Sequence, residues 1–506
     1  IGALTIGMPA FILALAPNTR RYIPGFLKRV VTFALPGGIA TALSVLLAAW
    51  VLPPVMGWNV TGDAADLSAL RATSAIILFA MGVFVLARVA RPLNGWRGVL
   101  VAVFAVGCTA DPEDRIGGQR PAIDGVAKTP PMGWDSGPSL GCKVTEQSIH
   151  QQADALVSSG LREAGYRYVI VGDCWSAPER AADGALRPDP VRFPSGMAAL
   201  GEYLHDRGLW FGLSSTAGTR TCAQHSGRRP GSTGSLGREA RDAATFADWG
   251  VDYLSYDWCS GQSDREEQIA AFTAMRDALR EVGKPIVYAI NPNRGLDATR
   301  PGSDAYWGGV ATVTRVTGPT VPAWSSAGRD RKVQGVIEVI DALAPLAGRV
   351  RPGTYNDPGL LQVGIADGAG DLTESEQRTQ FSMWAMMAAP LIIGVDLTTM
   401  PPSAVRTLTN GQIVRIDQDK RVSAGARVAN NPEIWSRAVG DKGLVVSLTN
   451  RGKAPRKLSV ALSDLGLVGD ATVGGVDAWT GERYRAVDGK LTVTVAAHDT
   501  AVLTIV

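Results

Sequence analysis

Two hydrophobic patterns divide this chain of 506 residues. Residues 1–19 and 30–52 carry no charge, and a shorter uncharged run covers residues 72–87. The 30–52 run is long enough to cross about 30 Å of hydrocarbon as a helix. The 72–87 run alone would also fit a buried core helix. Three such runs in succession predict an α-helical membrane segment over residues 1–107.

After this segment the pattern changes to short apolar runs that alternate with amphipathic stretches. Strands are predicted at residues 166–171, 210–213, 251–256, 285–290, 311–316 and 390–395, and helices at 146–161, at 264–281 and from the Thr373-x-x-Glu376 capping box onward. Buried parallel strands alternating with helices over residues 129–417 predict an α/β fold, a (β/α)8 TIM barrel. A doubly wound sheet is the alternative, but no GxGxxG follows the first strand.

From residue 418 to residue 506 the chain reads as short strands separated by turns, with no long helix between them. This pattern predicts a C-terminal antiparallel β-sandwich. Residues 108–128 are polar and contain Pro and Gly, which is typical of a linker between the membrane segment and the barrel.

Charge predicts the orientation of the membrane segment. Residues 1–107 hold eight Lys or Arg and two Asp or Glu, a net charge of +6. Residues 108–506 hold the other 42 Lys or Arg and 45 Asp or Glu, a net charge of −3. The basic residues cluster at 20–29 and 88–97, whereas Asp63 and Asp66 lie between the second and third runs. Since basic loops stay in the cytoplasm, the chain after residue 107 is expected outside it. No basic patch is interleaved with aromatic residues, which disfavours a nucleic-acid partner.

Cys108 offers a second route to the membrane. Residues 105–108 read Ala-Val-Gly-Cys after an apolar stretch and resemble a bacterial lipobox, in which Cys108 would be lipidated. A chance cysteine after a helix is the alternative. Either interpretation leaves a membrane-anchored protein whose barrel and sandwich face outward at a bacterial cell surface.

Cysteines agree with an exported domain. Apart from Cys108 the chain has Cys142, Cys174, Cys222 and Cys259. An even number in an exported domain predicts two disulfides, for which sequence alone allows three pairings. No CxxC occurs and the four His residues are scattered, so neither a metal site nor a cofactor is predicted.

Polar residues stand where the predicted strands end: Asp173, Asp257, Asn291, Asp357 and Asp396. In a barrel, all of these strand ends face the C-terminal rim, where active sites are built. Each residue alone could instead be a helix N-cap. Five of them at matching places favour a site on the rim.

Several segments, in order, resemble glycoside hydrolase family 27: "TPPMGWDSGPSLGC", "YVIVGDCW", "AGTRTCA", "FADWGVDYLSYDWC", "YNDPGLL" and "FSMWAMMAAPLIIGVDL". The resemblance spans residues 129–506. It implies a barrel followed by a sandwich, a carbohydrate substrate, and retaining hydrolysis of α-galactosides or α-N-acetylgalactosaminides.

The resemblance also implies roles for residues. The family's Tyr-Leu-Lys-Tyr-Asp motif becomes a segment ending on Asp257, which implies that Asp257 is the nucleophile. It implies disulfides Cys142–Cys174 and Cys222–Cys259, the second beside the sugar. Substrate-binding positions that remain are Asp173, Arg315, Asp357, Cys222 and Cys259.

Other family positions have changed. The acid/base Asp of Arg-Thr-Thr-Gly-Asp is Pro319 here, which has no proton to donate. Five further family positions are replaced. Gly137 stands in place of the first-loop aromatic, Gly172 in place of the first Asp of Asp-Asp-Cys, and Ser214 in place of the Tyr after strand three. Ser255 stands in place of the Lys before the nucleophile, and Gly359 in place of the last Asp of Asp-Pro-Asp.

The N-terminal text "TIGMPAFILALAPNTRRYIPGFLKRV" resembles the C-terminal membrane helices of bacterial cation-transporting P-type ATPases over residues 1–105. That family needs a DKTGT phosphorylation motif, which is absent, so this segment would be an anchor or the product of a joined reading frame.

Three functions are compatible with these features. The first is an α-galactosidase-like retaining exo-glycosidase with a degenerate sugar site, and Asp257 favours it. The second is a catalytically impaired carbohydrate-binding protein at the surface, which Pro319 favours. The third is a protein whose role lies in the membrane segment, which the missing DKTGT disfavours.

Overall fold

The computed structural model describes residue 50 and residues 121–259, 265–292, 307–328, 333–365, 371–467 and 473–506. The chain forms two compact units, Ile1–Arg115 and Ile116–Val506, and everything described below belongs to the second. No helix within the described residues has the length and apolarity that a membrane span requires. The predicted spans, apart from Trp50, and the predicted lipobox at Cys108 lie outside these residues.

Eight parallel strands form the first sheet. They are β1 (Met132–Asp135), β2 (Tyr168–Val171), β3 (Trp210–Thr216), β4 (Tyr253–Asp257), β5 (Val287–Asn291), β6 (Val313–Arg315), β7 (Tyr355–Asp357) and β8 (Leu391–Ile393). Their order is β7-β6-β5-β4-β3-β2-β1-β8, so β1 pairs with both β2 and β8. A single parallel bridge between Leu361 and Ile393 joins the chain after β7 to β8. The predicted TIM-type parallel sheet is confirmed.

Helices follow the strands along the chain. They are α1 (Ser136–Leu140), α2 (Glu146–Ser158), α3 (Leu161–Ala164), α4 (Gly196–His205), α5 (Cys222–His225), α6 (Glu239–Asp248), α7 (Arg265–Glu281), α8 (Val336–Leu343), α9 (Glu374–Met386), α10 (Pro402–Leu408) and α11 (Gly411–Asp417). The capping box predicted at Thr373 and Glu376 is present. The helix predicted at 146–161 is two helices, because Gly160 adopts φ +83° between them.

Two strands, β1 and β7, were not predicted as apolar runs, although Asp357 was recognised as a strand end. β1 reads Met-Gly-Trp-Asp and β7 reads Tyr-Asn-Asp, so a glycine or polar residues interrupt the apolar pattern. Both strands are held by their neighbours in the sheet.

Alternation along each strand separates two cores. Tyr168 and Tyr253 belong to a cluster inside the barrel, whereas the adjacent Val169 and Leu254 belong to the cluster between strands and helices. Successive side chains of a strand point to opposite faces, so the buried strands are apolar on both. The same alternation decides which residues at the strand ends face the barrel interior.

The end of the predicted linker packs against the barrel. Ala122 and Ile123 are buried, and Arg280 donates hydrogen bonds to the carbonyl of Ala122, at 2.6 Å, and to that of Pro121. Gly353 N donates to the Ala127 carbonyl at 3.1 Å. Residues 121–128 are therefore part of the folded unit. Their polar composition had concealed this because their contacts are made largely through backbone carbonyls.

The C-terminal part is antiparallel, as predicted. Its strands are β9 (Ala426–Arg427), β10 (Ile434–Val439), β11 (Gly443–Thr449), β12 (Arg456–Ala461), β13 (Gly474–Asp477), β14 (Arg483–Arg485), β15 (Lys490–Val495) and β16 (Thr500–Ile505). Six form one sheet in the order β14-β13-β16-β11-β10-β9, and β12 pairs with β15. Helix α9 links this part to the barrel. The Thr379 hydroxyl is 2.9 Å from that of Thr500 in the sandwich, and Trp384 Nε1 donates to the carbonyl of Gly359 in the barrel.

A buried carboxyl group and a buried guanidinium group lie where the barrel meets the sandwich. Asp417, the last residue of α11, is fully buried, and so is Arg437 on β10. Burial raises the pKa of Asp417 to about 8, although Arg437 and a 2.7 Å hydrogen bond from Gln418 Nε2 act in the opposite direction. The folded protein therefore holds a proton on Asp417 that the unfolded chain releases near pH 4.

We expect the free energy of unfolding to fall as pH rises from about 4 to 8. The stabilisation from protonated Asp417 is complete below the unfolded pKa and is lost as pH rises through the folded one, with a slope approaching about 1.4 kcal/mol per pH unit. Urea unfolding at several pH values measures this slope. Asp417→Asn should remove it, whereas Asp464→Asn, at an exposed carboxylate in the sandwich, should not. An unchanged slope in Asp417→Asn would contradict the assignment.

Candidate functional site

The candidate site lies at the C-terminal ends of the barrel strands. Asp257 ends β4 and is two and four residues after Ser255 and Tyr253, so it faces the barrel interior with them. By the same alternation Arg315 follows Val313 on β6 and Asp357 follows Tyr355 on β7. The strand period thus brings these polar ends to one rim.

A cavity of about 70 Å³ opens beside Asp257. It is lined by Asp135, Gly137, Gly141, Cys142, Gly172, Asp173, Cys174, Ser214, Ala223, Arg228, Ser255 and Asp257. These residues come from the ends of β1 to β4 and from the loops that follow them. Glycine and serine make up much of the wall. Its charged side chains are three aspartates, Asp135, Asp173 and Asp257, and one arginine, Arg228.

Asp257 is the buried carboxylate of this cavity, with 5% of its surface exposed. It lies between Thr216 of β3 and Asn291 of β5 in the sheet. Its carbonyl accepts a hydrogen bond from Ala217 N at 3.1 Å, which fixes the backbone of the strand end. The backbone of the strand end is therefore held on both sides, and the Asp257 side chain lies at the cavity wall.

One disulfide lines the cavity, and a second, whose cysteines were predicted to bind substrate, lies beside Asp257 but not among the described lining residues. Cys142 is bonded to Cys174 and Cys222 to Cys259, which confirms the pairing implied by the family resemblance. Cys222 Sγ lies 3.6 Å from Asp257 Oδ2. Asp257 and the two sulfurs of the second disulfide gather within 4.8 Å, a grouping that could suggest a metal site. The sulfurs are bonded to each other, so they are not thiolate ligands.

Tyr253 lies below the rim inside the barrel and is buried. Burial raises its pKa well above the ordinary value, and the negative charges of Asp357, Asp135 and Asp257 add to the effect. The Tyr253 hydroxyl therefore remains protonated. Its electrostatic surroundings show that carboxylates from β1, β4 and β7 converge on the same part of the barrel interior.

Asp173 holds the loop that covers the cavity. Its Oδ1 accepts from Cys174 N and its Oδ2 from Ala223 N, both at 2.6 Å. Ala223 is in the short helix α5, so Asp173 ties the end of β2 to that helix. The side chain has a structural role in addition to lining the cavity.

Arg315 and Asp357 form a second group on the far side of the rim. They are partners in the β6–β7 register, and Arg315 Nη1 lies 3.9 Å from Asp357 Oδ2. Arg315 also donates to the carbonyls of Thr317 and Gly318. Neither side chain is among the described residues that line the cavity, so the two predicted residues lie on the rim but outside the cavity wall.

Gly359 explains where the Arg315 guanidinium lies. A Cβ at position 359 would stand 2.2 Å from Arg315 Nη2, and Gly359 adopts φ +101°, which favours glycine. The Arg315 guanidinium therefore lies directly against Gly359, and any larger side chain at position 359 would require it to move.

Pro319 lies on an exposed turn after β6. Its carbonyl accepts from Gln334 N at 2.9 Å, and Gln334 Oε1 accepts from Gly318 N at 2.8 Å. This pairing holds the turn in place through the backbone. The ring supplies no acidic group at the position for which the family resemblance implies a proton donor.

Gly172 is closely packed too, although less tightly than Gly359. A Cβ there would lie 3.0 Å from Gly137 Cα and 3.3 Å from Ser136 Oγ, which itself accepts from Gly172 N at 2.8 Å. Two small residues, Gly137 and Gly172, thus allow the start of α1 to approach the end of β2. The two replacements implied by the family resemblance therefore permit the same close contact.

Gly172→Asp should therefore destabilise the fold instead of restoring a sugar contact. Overpacking of this kind costs about 1–3 kcal/mol. Thermal and urea unfolding measure the loss. Ser255→Asn is the matched control, because Ser255 faces the open cavity, and its melting temperature should stay close to that of the parent. A Gly172→Asp protein as stable as the parent would show that α1 moves freely.

Asp396, also predicted on the rim, is a helix cap. Its Oδ1 accepts from Gln152 Nε2 at 2.6 Å and from Thr398 N at 2.9 Å. Burial tends to raise its pKa, but these hydrogen bonds outweigh burial and hold the pKa below the ordinary range.

The structure also brings Asp135 and Arg228 to the cavity, and neither residue was predicted from the sequence. Asp135 ends β1 as Asp257 ends β4, a signal that could have identified it, whereas Arg228 lies in a loop without a pattern.

Comparison with known families agrees with this architecture. The family model described as alpha galactosidase A matches residues 129–419. The model described as alpha galactosidase C-terminal beta sandwich domain matches residues 429–505. These matches lend no support to the predicted P-type ATPase likeness of residues 1–105.

Individual relatives extend the comparison. An α-galactosidase from Cyamopsis tetragonoloba is 35% identical over 382 residues, which cover 74% of this chain and 86% of the relative. The crystal structure of α-galactosidase I from Mortierella vinacea superposes with a TM-score of 0.67 and 29% identity, covering 76% of this chain and 98% of that one. The structure of the Saccharomyces cerevisiae enzyme with raffinose gives a TM-score of 0.65 and 27% identity, covering 76% of this chain and 99% of that one. The chain belongs to the α-galactosidase A family and is an α-galactosidase-like glycoside hydrolase.

Proposed function

We propose that this protein is a retaining exo-glycosidase for terminal α-linked sugars, with Asp257 as its nucleophile. The observation that carries the proposal is the position of Asp257, a nearly buried carboxylate at the end of β4 on the wall of the rim cavity. Raffinose, bound in the yeast relative, carries a terminal α-galactosyl group, which supports an α-galactoside as substrate.

The reaction has two steps. Asp257 attacks the anomeric carbon, the glycosidic C–O bond breaks, and the leaving oxygen takes a proton. Water then attacks the glycosyl-enzyme ester, releases Asp257 and loses a proton. In the family an acid/base residue donates the first proton and accepts the second. Pro319 does neither, so we propose that proton transfer limits both steps.

An anomer assay tests this proposal. Nitrophenyl glycosides of α-galactose, α-N-acetylgalactosamine and the corresponding β-anomers are supplied to the protein, and NMR records the first sugar released. Cleavage of an α-glycoside with release of the α-anomer is expected. Release of the β-anomer, or cleavage of β-glycosides alone, would reject a retaining α-glycosidase.

A carbohydrate-binding protein with little turnover is the second candidate. Pro319 at the donor position and the Arg315 side chain in the space beside Gly359 favour it. Saturation-transfer NMR with methyl α-galactoside would then detect binding to a protein that leaves every aryl glycoside intact. Turnover of any α-glycoside that depends on Asp257 would reject this candidate.

We also propose that the barrel and sandwich lie outside the cytoplasm, anchored by residues 1–107. Two disulfides in the folded unit support export, since disulfides persist in oxidising compartments. Protease added to intact bacteria that express the full chain should degrade the barrel. A barrel that is protected until the cells are lysed would contradict the proposal.

A further inference from the structure

Arg228 is placed over the cavity by a firmly anchored loop. The loop runs from β3 to α6 and contains α5, which the Cys222–Cys259 bond ties to the end of β4. Asp173 binds Ala223 N, as described above. Gln224 Oε1 accepts from Thr233 N at 3.0 Å, and Gln224 Nε2 donates to Thr233 Oγ1 at 2.8 Å, which closes the loop on itself. The backbone on both sides of Arg228 is therefore fixed.

The two adjacent arginines of this loop have different surroundings. Arg229 Nη2 donates to Asp189 Oδ2 at 2.8 Å and to the Ser176 carbonyl at 3.2 Å, so its charge is paired within the protein. Arg228 is exposed and lines the cavity, and its Nε donates to Ser226 Oγ at 3.1 Å. Within the described part of the chain its two terminal nitrogens have no hydrogen-bond acceptor and no carboxylate within ion-pair distance.

The remaining charges of the cavity wall are carboxylates. Both oxygens of Asp173 accept backbone amides, and Asp135 Oδ1 accepts from Gly137 N at 2.7 Å. Arg228 is therefore the cationic side chain among the described lining residues. A guanidinium with two unused terminal nitrogens binds carboxylates and sulfates through paired hydrogen bonds.

We infer that Arg228 binds an anionic group, carboxylate or sulfate, on the sugar that Asp257 attacks. This inference rests on the proposed function and narrows its substrate class to acidic α-glycosides. The anchored loop holds the guanidinium in place, so the cost of ordering it is largely met before the substrate arrives. The carboxylates of the floor then accept hydrogen bonds from the neutral hydroxyls of the same sugar.

Three substrates with one leaving group test the inference on the full chain: nitrophenyl α-galactoside, its 6-sulfate and nitrophenyl α-galacturonide. At low salt, kcat/KM should be at least about tenfold higher for one or both anionic substrates, and the preferred one identifies the group. Arg228→Gln should remove this preference, so that the kcat/KM of each anionic substrate falls to or below that of the neutral galactoside measured with the same variant. Arg220→Gln, an exposed arginine of the same loop that does not line the cavity, should have no effect.

A binding experiment separates this inference from the proposed function. Calorimetry with the Asp257→Asn protein compares galacturonate, galactose 6-sulfate and galactose, with and without Arg228→Gln. Tighter binding of an acidic sugar that requires Arg228 supports the inference even if no glycoside is hydrolysed. Equal binding of acidic and neutral sugars, or a preference that survives Arg228→Gln, overturns it even if the enzyme is active.

Discussion

Asp257→Asn should lower kcat/KM for an activated aryl α-glycoside by at least about 10⁴-fold, the scale seen when a covalent nucleophile is removed. The amide has nearly the shape of the carboxylate, so the wall of the cavity and the adjacent Cys222–Cys259 bond should remain. It cannot form the glycosyl ester through which a retaining enzyme passes. Initial rates with dinitrophenyl α-galactoside measure the loss, and thermal unfolding verifies the fold.

The control for this substitution is Asp248→Asn, the same change at an exposed position at the end of α6. Its rate should equal that of the parent. Azide added to an Asp257→Ala protein should attack from the face that the carboxylate occupied and yield the β-glycosyl azide. Activity that persists in Asp257→Asn, or an α-azide product, would remove Asp257 from the role of nucleophile.

The second large effect is a dependence on the leaving group. With Pro319 at the donor position, dinitrophenyl glycosides should be cleaved about 10²–10⁴-fold faster than raffinose or melibiose, because a phenolate leaves without protonation and an alkoxide does not. Parallel kcat/KM measurements on substrates whose leaving groups span several pKa units give the slope. A steep slope is expected, whereas enzymes with a proton donor show a shallow one.

Azide added to the parent protein tests the second step, in which water attacks the glycosyl-enzyme. It needs no general base, so it should accelerate turnover of dinitrophenyl glycosides and give the retained α-azide. Pro319→Asp should flatten the dependence on leaving group, and Pro319→Ala, which adds no acid, should leave it steep. Equal rates for disaccharides and activated glycosides, with no effect of azide, would mean that another side chain donates the proton.

The barrel could be predicted because its signals are local. Buried parallel strands such as β2 and β8 are continuous apolar runs, and a polar residue follows shortly after each one. The same rule could have identified Asp135, but β1 reads Met-Gly-Trp-Asp and its central glycine weakens the strand pattern. By contrast, the contacts of residues 121–128 with the barrel run through backbone carbonyls, which leave no trace in side-chain type.

The sequence by itself determined the class of fold, the presence of Asp257 at a strand end and the absence of an acid at Pro319, since each depends on residue type at one position. Only the tertiary structure decided how the changed positions combine. Gly172 accommodates the approach of Gly137, and Arg315 fills the space beside Gly359, because contacts across 35 to 44 residues of chain depend on the packing of different strand ends. Arg228 and Arg229 are adjacent in the sequence, yet Arg228 lines the cavity and Arg229 pairs with Asp189. Only the positions of these surroundings in the folded chain distinguish the two arginines.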